Sequence, residues 1–391
     1  MFIKNFWGYN FMKKIGILTF NWAVNYGAIL QMFAEYTFIK NNSNSDLSII
    51  NYVPDKLKNV YELKVFKGSF HPKSLLKNFL TLISKKDLIL KFRGFINNNF
   101  KLTKELKNTF ELIKELYNFD IVIVGSDQVW NYYIVGEYLN DYLLNFDIPN
   151  LMKISYAASL GKNEIPEEVI NLFKNAIPKF DVISLREEKS KELLSNICKK
   201  DDIYVVLDPV FLLSKNEWLE VADQSKFEIK HKDYILIYML EYNENLVQFA
   251  LNLSKQTKLP VYSIEIPFFR YYKNKNKFIN INNAGPEDFV KLFYNASYVL
   301  TNSFHGTSFS LIFEKPFLTF AHSKYNLRIE NILKFYNLEN NIIYDKYHEH
   351  FKLNKIQMNI TGNSKKIDAL ISHSKSFILN AINKEGVNDE K

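Results

Sequence analysis

The sequence contains a single cysteine, Cys198, so no disulfide bond can form within the chain. It contains no apolar run near the roughly 18 residues that a membrane-spanning helix needs. Its 7 histidines are scattered, and even His348 and His350 have no cysteine or second histidine pair nearby. The G-x-S-x-G motif of nucleophilic hydrolases is also missing. We therefore expect neither a metal requirement nor a resident cofactor.

Positive charge exceeds negative charge, but the excess is spread along the chain. Lys and Arg number 50 against 42 Asp and Glu, a formal net charge of +8. Nucleic-acid-binding surfaces concentrate their basic residues in a stripe, so we predict no nucleic-acid partner. The charge suits an anionic small substrate and peripheral contact with the inner face of an acidic membrane equally well. The first 11 residues lack the apolar core and cleavage site of a signal peptide, and we expect a cytoplasmic protein.

Short apolar strands alternate with helices along most of the chain. Strands are predicted at 15–20, 47–52, 120–124, 152–157, 182–185 and 204–207, and in a second series at 234–239, 261–264, 298–301 and 317–320. The strand at 120–124 is apolar throughout, which is typical of a parallel strand buried on both faces. Two such series predict an α/β protein with two Rossmann-like doubly wound domains facing each other.

The lapses in this alternation suggest the domain boundaries. We predict an N-terminal extension at 1–12, an N-terminal domain on the acceptor side at 13–212, and a C-terminal domain on the donor side at 213–391, which includes the closing helices. The polar stretch 213–232 is the predicted connection between the domains. Residues 54–108 contain helical stretches of undetermined topology, and the Lys- and Asn-rich stretch 273–283 is predicted to be an exposed loop.

The loop after the strand at 298–301 has the strongest functional pattern. It precedes a helix predicted at 306–313, and it carries three hydroxyls, on Ser303, Thr307 and Ser308. Together with the free N–H groups of the first helical turn, these hydroxyls are expected to form an anion site. At its rim, His305 could donate to a phosphate or transfer a proton near neutral pH. The same residues are equally compatible with a simple helix cap.

Three further strand ends carry candidate residues. The guanidinium of Arg186 could bind a carboxylate or phosphate with two parallel bonds, or form a salt bridge. In the segment 125–131, Asp127 could act as a base or bind sugar hydroxyls, and Trp130 could stack on a sugar or belong to the core. Residues 25–27 occupy the first strand-to-helix turn, which lacks the G-x-G-x-x-G spacing of a dinucleotide site.

Taken together and in order, these segments resemble the polysaccharide pyruvyl transferase family, over about residues 13–320. The most specific segments are Gly-Ser-Asp-Gln-Val-Trp-Asn at 125–131, Ser-Tyr-Ala-Ala-Ser-Leu-Gly at 155–161, Ser-Leu-Arg-Glu at 184–187, Leu-Asp-Pro at 207–209 and Thr-Asn-Ser-Phe-His-Gly-Thr at 301–307. Five such segments in register are a strong signal, whereas one alone is weak.

The resemblance implies two Rossmann-like domains similar to the GT-B glycosyltransferases, phosphoenolpyruvate as donor, and a glycan or lipid-linked oligosaccharide as acceptor. It implies that Arg186 and His305 bind the donor and take part in catalysis, with the Phe304 backbone beside the donor. Combined with the residue analysis, it leads to three assignments. The catalytic residues are His305, Arg186 and Asp127. The donor-binding residues are Arg186, Ser303, Phe304, His305, Gly306, Thr307 and Ser308. The acceptor-binding residues are Asn25, Tyr26, Gly27, Ser126, Asp127 and Trp130.

Two other functions remain open at this stage. A nucleotide-sugar-dependent glycosyltransferase of similar fold would use the anion loop to hold a diphosphate. A non-catalytic glycan-binding or assembly subunit would keep the fold alone. The presence of both Arg186 and His305 argues against the second alternative, because a catalytically dead copy often loses such residues.

Overall fold

The computed structural model describes residues 12–57, 75–162, 164–264, 275–323, 326–344 and 364–384. The predicted N-terminal extension lies outside these ranges except for Met12. Within them, the chain forms two six-stranded sheets in which every strand pairing is parallel. This arrangement confirms the predicted α/β fold of two doubly wound halves.

The first sheet has the strand order β2-β1-β3-β4-β5-β6. Its strands are β1 Lys13–Leu18, β2 Ser45–Ile49, β3 Ile121–Gly125, β4 Met152–Ala158, β5 Val182–Leu185 and β6 Ile203–Val205. All five residues of β3 are buried, because this strand pairs on both sides and is covered on both faces. The strand predicted from the apolar run at 120–124 is therefore a central strand, as its sequence pattern indicated.

Seven helices accompany this sheet within the described residues: α1 Tyr26–Asn42, α2 Leu75–Asn99, α3 Thr109–Leu116, α4 Tyr132–Val135, α5 Leu139–Tyr142, α6 Ile170–Ala176 and α7 Glu188–Cys198. Asn25 begins α1 by accepting a hydrogen bond from the Ala28 N–H. Helix α1 is buried around most of its circumference, so polar residues on it are enclosed as well. In the segment 54–108, α2 is followed by two parallel bridges to the edge of the sheet.

The second sheet has the order β12-β11-β10-β7-β8-β9. Its strands are β7 Ile235–Tyr238, β8 Val261–Ile264, β9 Ile279–Ile281, β10 Tyr298–Thr301, β11 Phe317–Phe320 and β12 Ile342–Ile343. Strands β9 and β12 were not predicted from the sequence, and the prediction of an exposed loop at 273–283 is wrong for β9. Both are edge strands of three and two residues, too short to produce a clear apolar pattern.

The helices of the second half are α8 Lys215–Asp223, α9 Glu244–Thr257, α10 Pro286–Asn295, α11 Phe304–Ile312 and α12 Leu327–Phe335, and the chain closes with α13 Ser364–Asn383. Helix α8 falls in the stretch predicted as a connection, and its buried Trp218 packs edge-on against Phe309 of α11. The final helix returns to the first half. There, Ser374 accepts a hydrogen bond from the Leu207 N–H at 3.0 Å, and the Lys13 ammonium donates to the Ile382 carbonyl at 3.0 Å.

The two halves pack through a shared aromatic core. Tyr26 of α1 stacks on Phe289 of α10, with ring centroids 4.6 Å apart, and donates its hydroxyl hydrogen to the Ala284 carbonyl at 2.8 Å. This contact places the start of α1 directly against the second half. The loops that follow β1 and β3 therefore face the loops that follow β7 and β10, where ligands bind in parallel α/β sheets.

Candidate active site

A cleft of about 290 Å³ lies between the carboxyl ends of the two sheets. Helix α12 adds the guanidinium of Arg328 to its wall. The remaining wall includes Phe20, Trp22 and Asn25 after β1, Asp127 and Gln128 after β3, Tyr238 and Leu240 at the end of β7, and Ser303, Phe304 and His305 after β10. Both halves of the molecule thus contribute to one site, as the strand-end rule predicts.

Behind this wall, Arg186, Asp208 and His305 form a buried charge cluster. The Arg186 Nη1 atom lies 2.9 Å from Asp208 Oδ2, and His305 Nε2 lies 3.5 Å from the same oxygen. Burial by itself would raise the pKa of Asp208, but the charges of Arg186 and then His305 outweigh it and hold that pKa at about 2. Asp208 is therefore ionised at neutral pH and stabilises positive charge on both neighbours.

Arg186 is held by a set of acceptors from the first half. Its Nε donates to Ser126 Oγ and to the Ala157 carbonyl, each at 3.2 Å, and its Nη2 donates to Ser126 and Gln31. Its side chain is about 2% exposed and does not reach the cleft wall. The structure therefore places Arg186 one layer behind the cleft, and it places Ser126, assigned from the sequence to the acceptor, beside Arg186.

The anion loop has a different hydroxyl arrangement from the one predicted. Helix α11 begins at Phe304, two residues before the predicted start, and Ser303 caps it by accepting from the Gly306 N–H. The Thr307 hydroxyl donates to the Ser303 carbonyl and pairs with Thr319, and the Ser308 hydroxyl donates to the Phe304 carbonyl. The prediction that three hydroxyls converge is wrong: only Ser303 reaches the cleft. Polar side chains inside a helix bond back to its own carbonyls.

The early start of α11 nevertheless leaves free donors at the cleft. The first N–H groups of a helix have no partner inside it. Ser303 accepts hydrogen bonds from the N–H groups of Gly306 and Thr307. The N–H groups of Phe304 and His305 have no partner among the described residues. Gly306 is needed here, because a Cβ atom at this position would lie 2.3 Å from Thr301 Oγ1. The helix start can therefore still bind an anion.

Arg328 is the cleft residue that the sequence analysis missed. Its guanidinium lies 5.5 Å from the centre of the Phe304 ring, and the Arg186 guanidinium lies 5.7 Å from the same ring. Arg328 makes no hydrogen bond or ion pair with the described residues. Burial and the charge of Arg186 lower its pKa, while Asp127, Glu187 and Asp208 oppose that shift. Among the described residues it is thus a cation in the cleft without a carboxylate partner.

A signal for Arg328 is present in the composition. The sequence contains 50 Lys and Arg residues, of which only Arg93, Arg186, Arg270 and Arg328 are arginines. In a chain that otherwise uses lysine, arginine is informative, because a guanidinium binds carboxylate and phosphate groups in a way that an ammonium cannot. Two of these four arginines flank Phe304.

The residues assigned to the acceptor divide into two groups. Asn25 and Asp127 line the cleft, and Gly27 lies against the imidazole of His305. Tyr26 is enclosed in the interface between the halves. Trp130 is about 1% exposed and its indole N–H donates to the Tyr142 carbonyl at 2.9 Å, so its ring has no face open to a sugar. The aromatic side chains that line the cleft on this side are Phe20, Trp22 and Tyr133.

No group of three or more His, Cys, Asp or Glu side chains within the described ranges is arranged to hold a metal ion. None of the described helices combines the length and the mean hydropathy needed to cross a membrane.

The fold is similar to that of solved UDP-N-acetylglucosamine 2-epimerases. The enzyme from Neisseria meningitidis, bound to UDP-GlcNAc, is 13% identical with a TM-score of 0.51, covering 96% of this chain and 100% of that chain. A putative 2-epimerase from Listeria monocytogenes is 12% identical with a TM-score of 0.52, covering 95% and 96%. The enzyme from Rickettsia bellii is 11% identical with a TM-score of 0.50, covering 95% and 96%. Such low identities show the GT-B-like fold alone.

Sequence comparison gives a more specific result. No curated protein matches the chain, but the family model of the polysaccharide pyruvyl transferases matches residues 25–324. The match begins at the cap of α1 and includes the Arg186, Asp208 and His305 cluster. Because the match covers most of the chain, the chain belongs to the polysaccharide pyruvyl transferase family.

Proposed function

We propose that the chain transfers the pyruvyl group of phosphoenolpyruvate to two hydroxyls of a sugar, in a surface polysaccharide or its lipid-linked precursor, and so forms a ketal. The observation that carries this proposal is the Arg328 guanidinium, which has no ion-pair partner among the described residues and lines the same cleft as the N-terminus of α11, with its N–H groups of Phe304 and His305. Phosphoenolpyruvate carries two anionic groups, a phosphate and a carboxylate. A cation next to a helix N-terminus suits a donor with two such groups.

The proposed roles of the two arginines differ. Arg328 binds the donor directly, because its guanidinium is free to form two parallel bonds with an oxyanion. Arg186 acts from behind the wall: its charge favours an anion in the cleft, and it fixes Asp208 next to His305. Both guanidiniums lie near the Phe304 ring, at 5.7 Å for Arg186 and 5.5 Å for Arg328, and their like charges repel.

Ketal formation requires proton transfers, and His305 is the proposed acid. A proton delivered to the methylene carbon of phosphoenolpyruvate makes it a methyl group and leaves C2 electron-poor. One sugar hydroxyl adds to C2, the C2–O bond to phosphate breaks, and the second hydroxyl adds. One of the two released hydroxyl protons replaces the proton given to carbon, and the other leaves with phosphate. Asp208, 3.5 Å from His305 Nε2, stabilises the protonated imidazole.

Asp127 is the proposed base at the acceptor end of the cleft. It follows β3 and faces the cleft from the first half, opposite the residues after β10. A carboxylate in this position can accept the proton of an attacking hydroxyl. Trp22 and Tyr133 line the same side of the cleft, where aromatic faces can pack against a sugar ring.

The direct test is mass spectrometry of glycans incubated with the protein and phosphoenolpyruvate. The expected result is a product heavier by one pyruvyl group, with one phosphate released for each ketal formed. A candidate nucleotide-sugar glycosyltransferase would instead bind a diphosphate in this cleft. Saturation-transfer NMR separates the two proposals: contact with phosphoenolpyruvate and none with UDP-GlcNAc is expected, and the reverse result would exclude the pyruvyl donor. Absence of phosphate release with every glycan tested would favour a non-catalytic subunit.

A further inference from the structure

Glu35 is a buried carboxyl group directly behind the charge cluster. It lies on α1, one turn after Gln31, which accepts a hydrogen bond from Arg186. Its side chain is fully enclosed, no side chain of the described residues bonds to either carboxyl oxygen, and the Ser126 backbone N–H is a nearby donor that favours the carboxylate only weakly. An isolated carboxylate in such a place carries a large desolvation penalty, which protonation removes.

The groups that face Glu35 come from several elements of the first half. Asp208 follows β6, Arg186 follows β5, and Tyr156 lies on β4. Burial raises the pKa of Glu35 to about 8; the negative charge of Asp208 adds to this shift and Arg186 opposes it. Burial, with smaller contributions from the charges of Glu35 and Asp208, raises the pKa of Tyr156, so that side chain stays neutral. Glu35 is therefore the group in this cluster whose charge changes just above neutral pH.

The consequence for an anion in the cleft follows from the charges. The ionised Asp208 offsets part of the positive potential of Arg186, and Arg328 adds the second fixed positive charge. Loss of a proton from Glu35 would add one negative charge to the enclosed layer behind the cleft, and two carboxylates would then share the field of one guanidinium. An anionic donor would experience a less favourable potential.

We propose that Glu35 is a positioning residue that acts as a charge switch for donor binding. When Glu35 is neutral, an anionic donor experiences the positive potential of the two arginines. When Glu35 is a carboxylate, its negative charge weakens donor affinity. The proposal rests on the proposed function only in taking phosphoenolpyruvate as the anion. Glu35 itself does not line the cleft, so it acts through Arg186 and Asp208.

The test is the dissociation constant of phosphoenolpyruvate, measured by calorimetry between about pH 7.5 and 9, above the ordinary titration range of histidine. For the parent we expect affinity to fall about fourfold across this range, which is the part of a roughly tenfold effect of one unit charge that a group with a pKa of about 8 produces between these two pH values. For Glu35→Gln, which keeps the size but cannot ionise, we expect a flat profile. Equal slopes in parent and variant, or a flat profile in the parent, would overturn the proposal.

Glu287→Gln is the matched control. Burial also raises the pKa of Glu287, and one of its oxygens has no partner in the described structure, but it lies on α10 away from the cleft wall. This variant should keep the parent profile. A measurement that needs no donor keeps the proposal testable if Glu35→Gln folds poorly. The parent and Glu287→Gln should both show an infrared carbonyl band of a protonated carboxylic acid at about pH 7 that disappears by about pH 9.5.

These readouts separate the two proposals. If the parent binds no phosphoenolpyruvate at any pH but shows the infrared transition, the donor assignment fails and the protonation of Glu35 stands. If the parent binds phosphoenolpyruvate and no carboxylic acid band changes across this range, Glu35 is not the switch and the donor assignment stands.

Discussion

Gly27, at the start of helix α1 in the first half, lies directly against the imidazole of His305 in the second half. A Cβ atom at position 27 would stand 2.1 Å from His305 Nδ1. The backbone of the first half thus forms the surface against which the proposed acid of the second half packs. This contact explains why a small residue follows Tyr26, whose ring is anchored across the same interface.

Gly27→Ala should therefore displace His305 while leaving most of the fold intact. We expect turnover to fall about 10²- to 10⁴-fold, the usual contribution of acid–base catalysis. The measurement is phosphate release, with circular dichroism as the check on folding. Gly94→Ala is a suitable control, because a Cβ atom on Gly94 of α2 would have nothing within 4 Å. Full activity in Gly27→Ala would show that the imidazole can move without loss of function.

His305→Gln tests the proton transfer itself. Glutamine can donate a hydrogen bond to phosphate but cannot transfer a proton near neutral pH. We expect a loss of turnover of about 10²- to 10⁴-fold with a smaller change in donor affinity, since Arg328 and the helix N-terminus remain. Single-turnover kinetics would measure both quantities. Turnover close to that of the parent would reduce His305 to a positioning residue and make Asp127 the next candidate acid.

The two arginines should respond differently to substitution. Arg328→Ala removes a cation that has no ion-pair partner in the described part of the chain, so we expect donor affinity to weaken about ten- to a hundredfold, roughly 1.5 to 3 kcal/mol, with little change in stability. Arg186→Ala leaves Asp208 as an unpaired buried charge and should cost about 3 to 5 kcal/mol of stability. Calorimetry and urea unfolding would measure these effects.

The conservative variants extend this comparison. Arg186→Lys keeps the charge but loses several of the hydrogen bonds to Ser126, Gln31 and Ala157, so it should weaken donor binding and also reduce stability. The double variant Arg186→Met with Asp208→Leu should recover part of the stability lost in Arg186→Ala, but no activity. An equal loss of donor affinity in Arg328→Ala and Arg328→Lys would show that the bidentate geometry matters more than the charge.

Glu35 and Asp208 should have opposite effects on the pH dependence of stability. The folded-state pKa of Glu35 is raised to about 8. The contribution of protonated Glu35 to the free energy of unfolding, measured against Glu35→Gln, is therefore complete below about pH 4 and is lost as pH rises towards 8. The folded-state pKa of Asp208 is held at about 2, so its contribution is present above about pH 4 and is lost as pH falls towards 2.

Urea unfolding at about pH 5 and 8.5 would measure these two effects. We expect Glu35→Gln to gain stability over the parent mainly at the higher pH, by an amount on the order of 3 to 5 kcal/mol. Asp208→Asn should lose stability at both of these pH values, since Asp208 is ionised at each. A Glu35→Gln variant whose stability relative to the parent is the same at both pH values would contradict the raised pKa.

Activity should not depend on a divalent metal ion. In the proposed site the negative charge of the donor is met by Arg328, the cluster around Arg186 and the start of α11. Phosphate release measured in the presence of a chelator should match the untreated protein. Loss of activity that added magnesium or manganese restores would contradict this expectation.

The sequence by itself determined the two-half α/β fold and the loops that border the cleft. The alternation of apolar strands and helices was sufficient for both predictions. A buried parallel strand such as β3 is apolar along its whole length, and the carboxyl ends of such strands lie at one edge of the sheet. The resemblance to the pyruvyl transferases then singled out Arg186 and His305 among the polar residues of those loops.

Only the tertiary structure decided which of these side chains reach the cleft. The direction in which a hydroxyl points depends on where its helix begins. Because α11 begins at Phe304, the hydroxyls of Thr307 and Ser308 donate to backbone carbonyls one turn earlier and not to the cleft. The sequence separates Arg328 from Arg186 by more than a hundred residues, and Glu35 sits within an otherwise ordinary helical pattern. Their roles arise because the packing of the two halves brings charged side chains that are far apart in the sequence into one enclosed region. Burial then determines which of these side chains stay ionised.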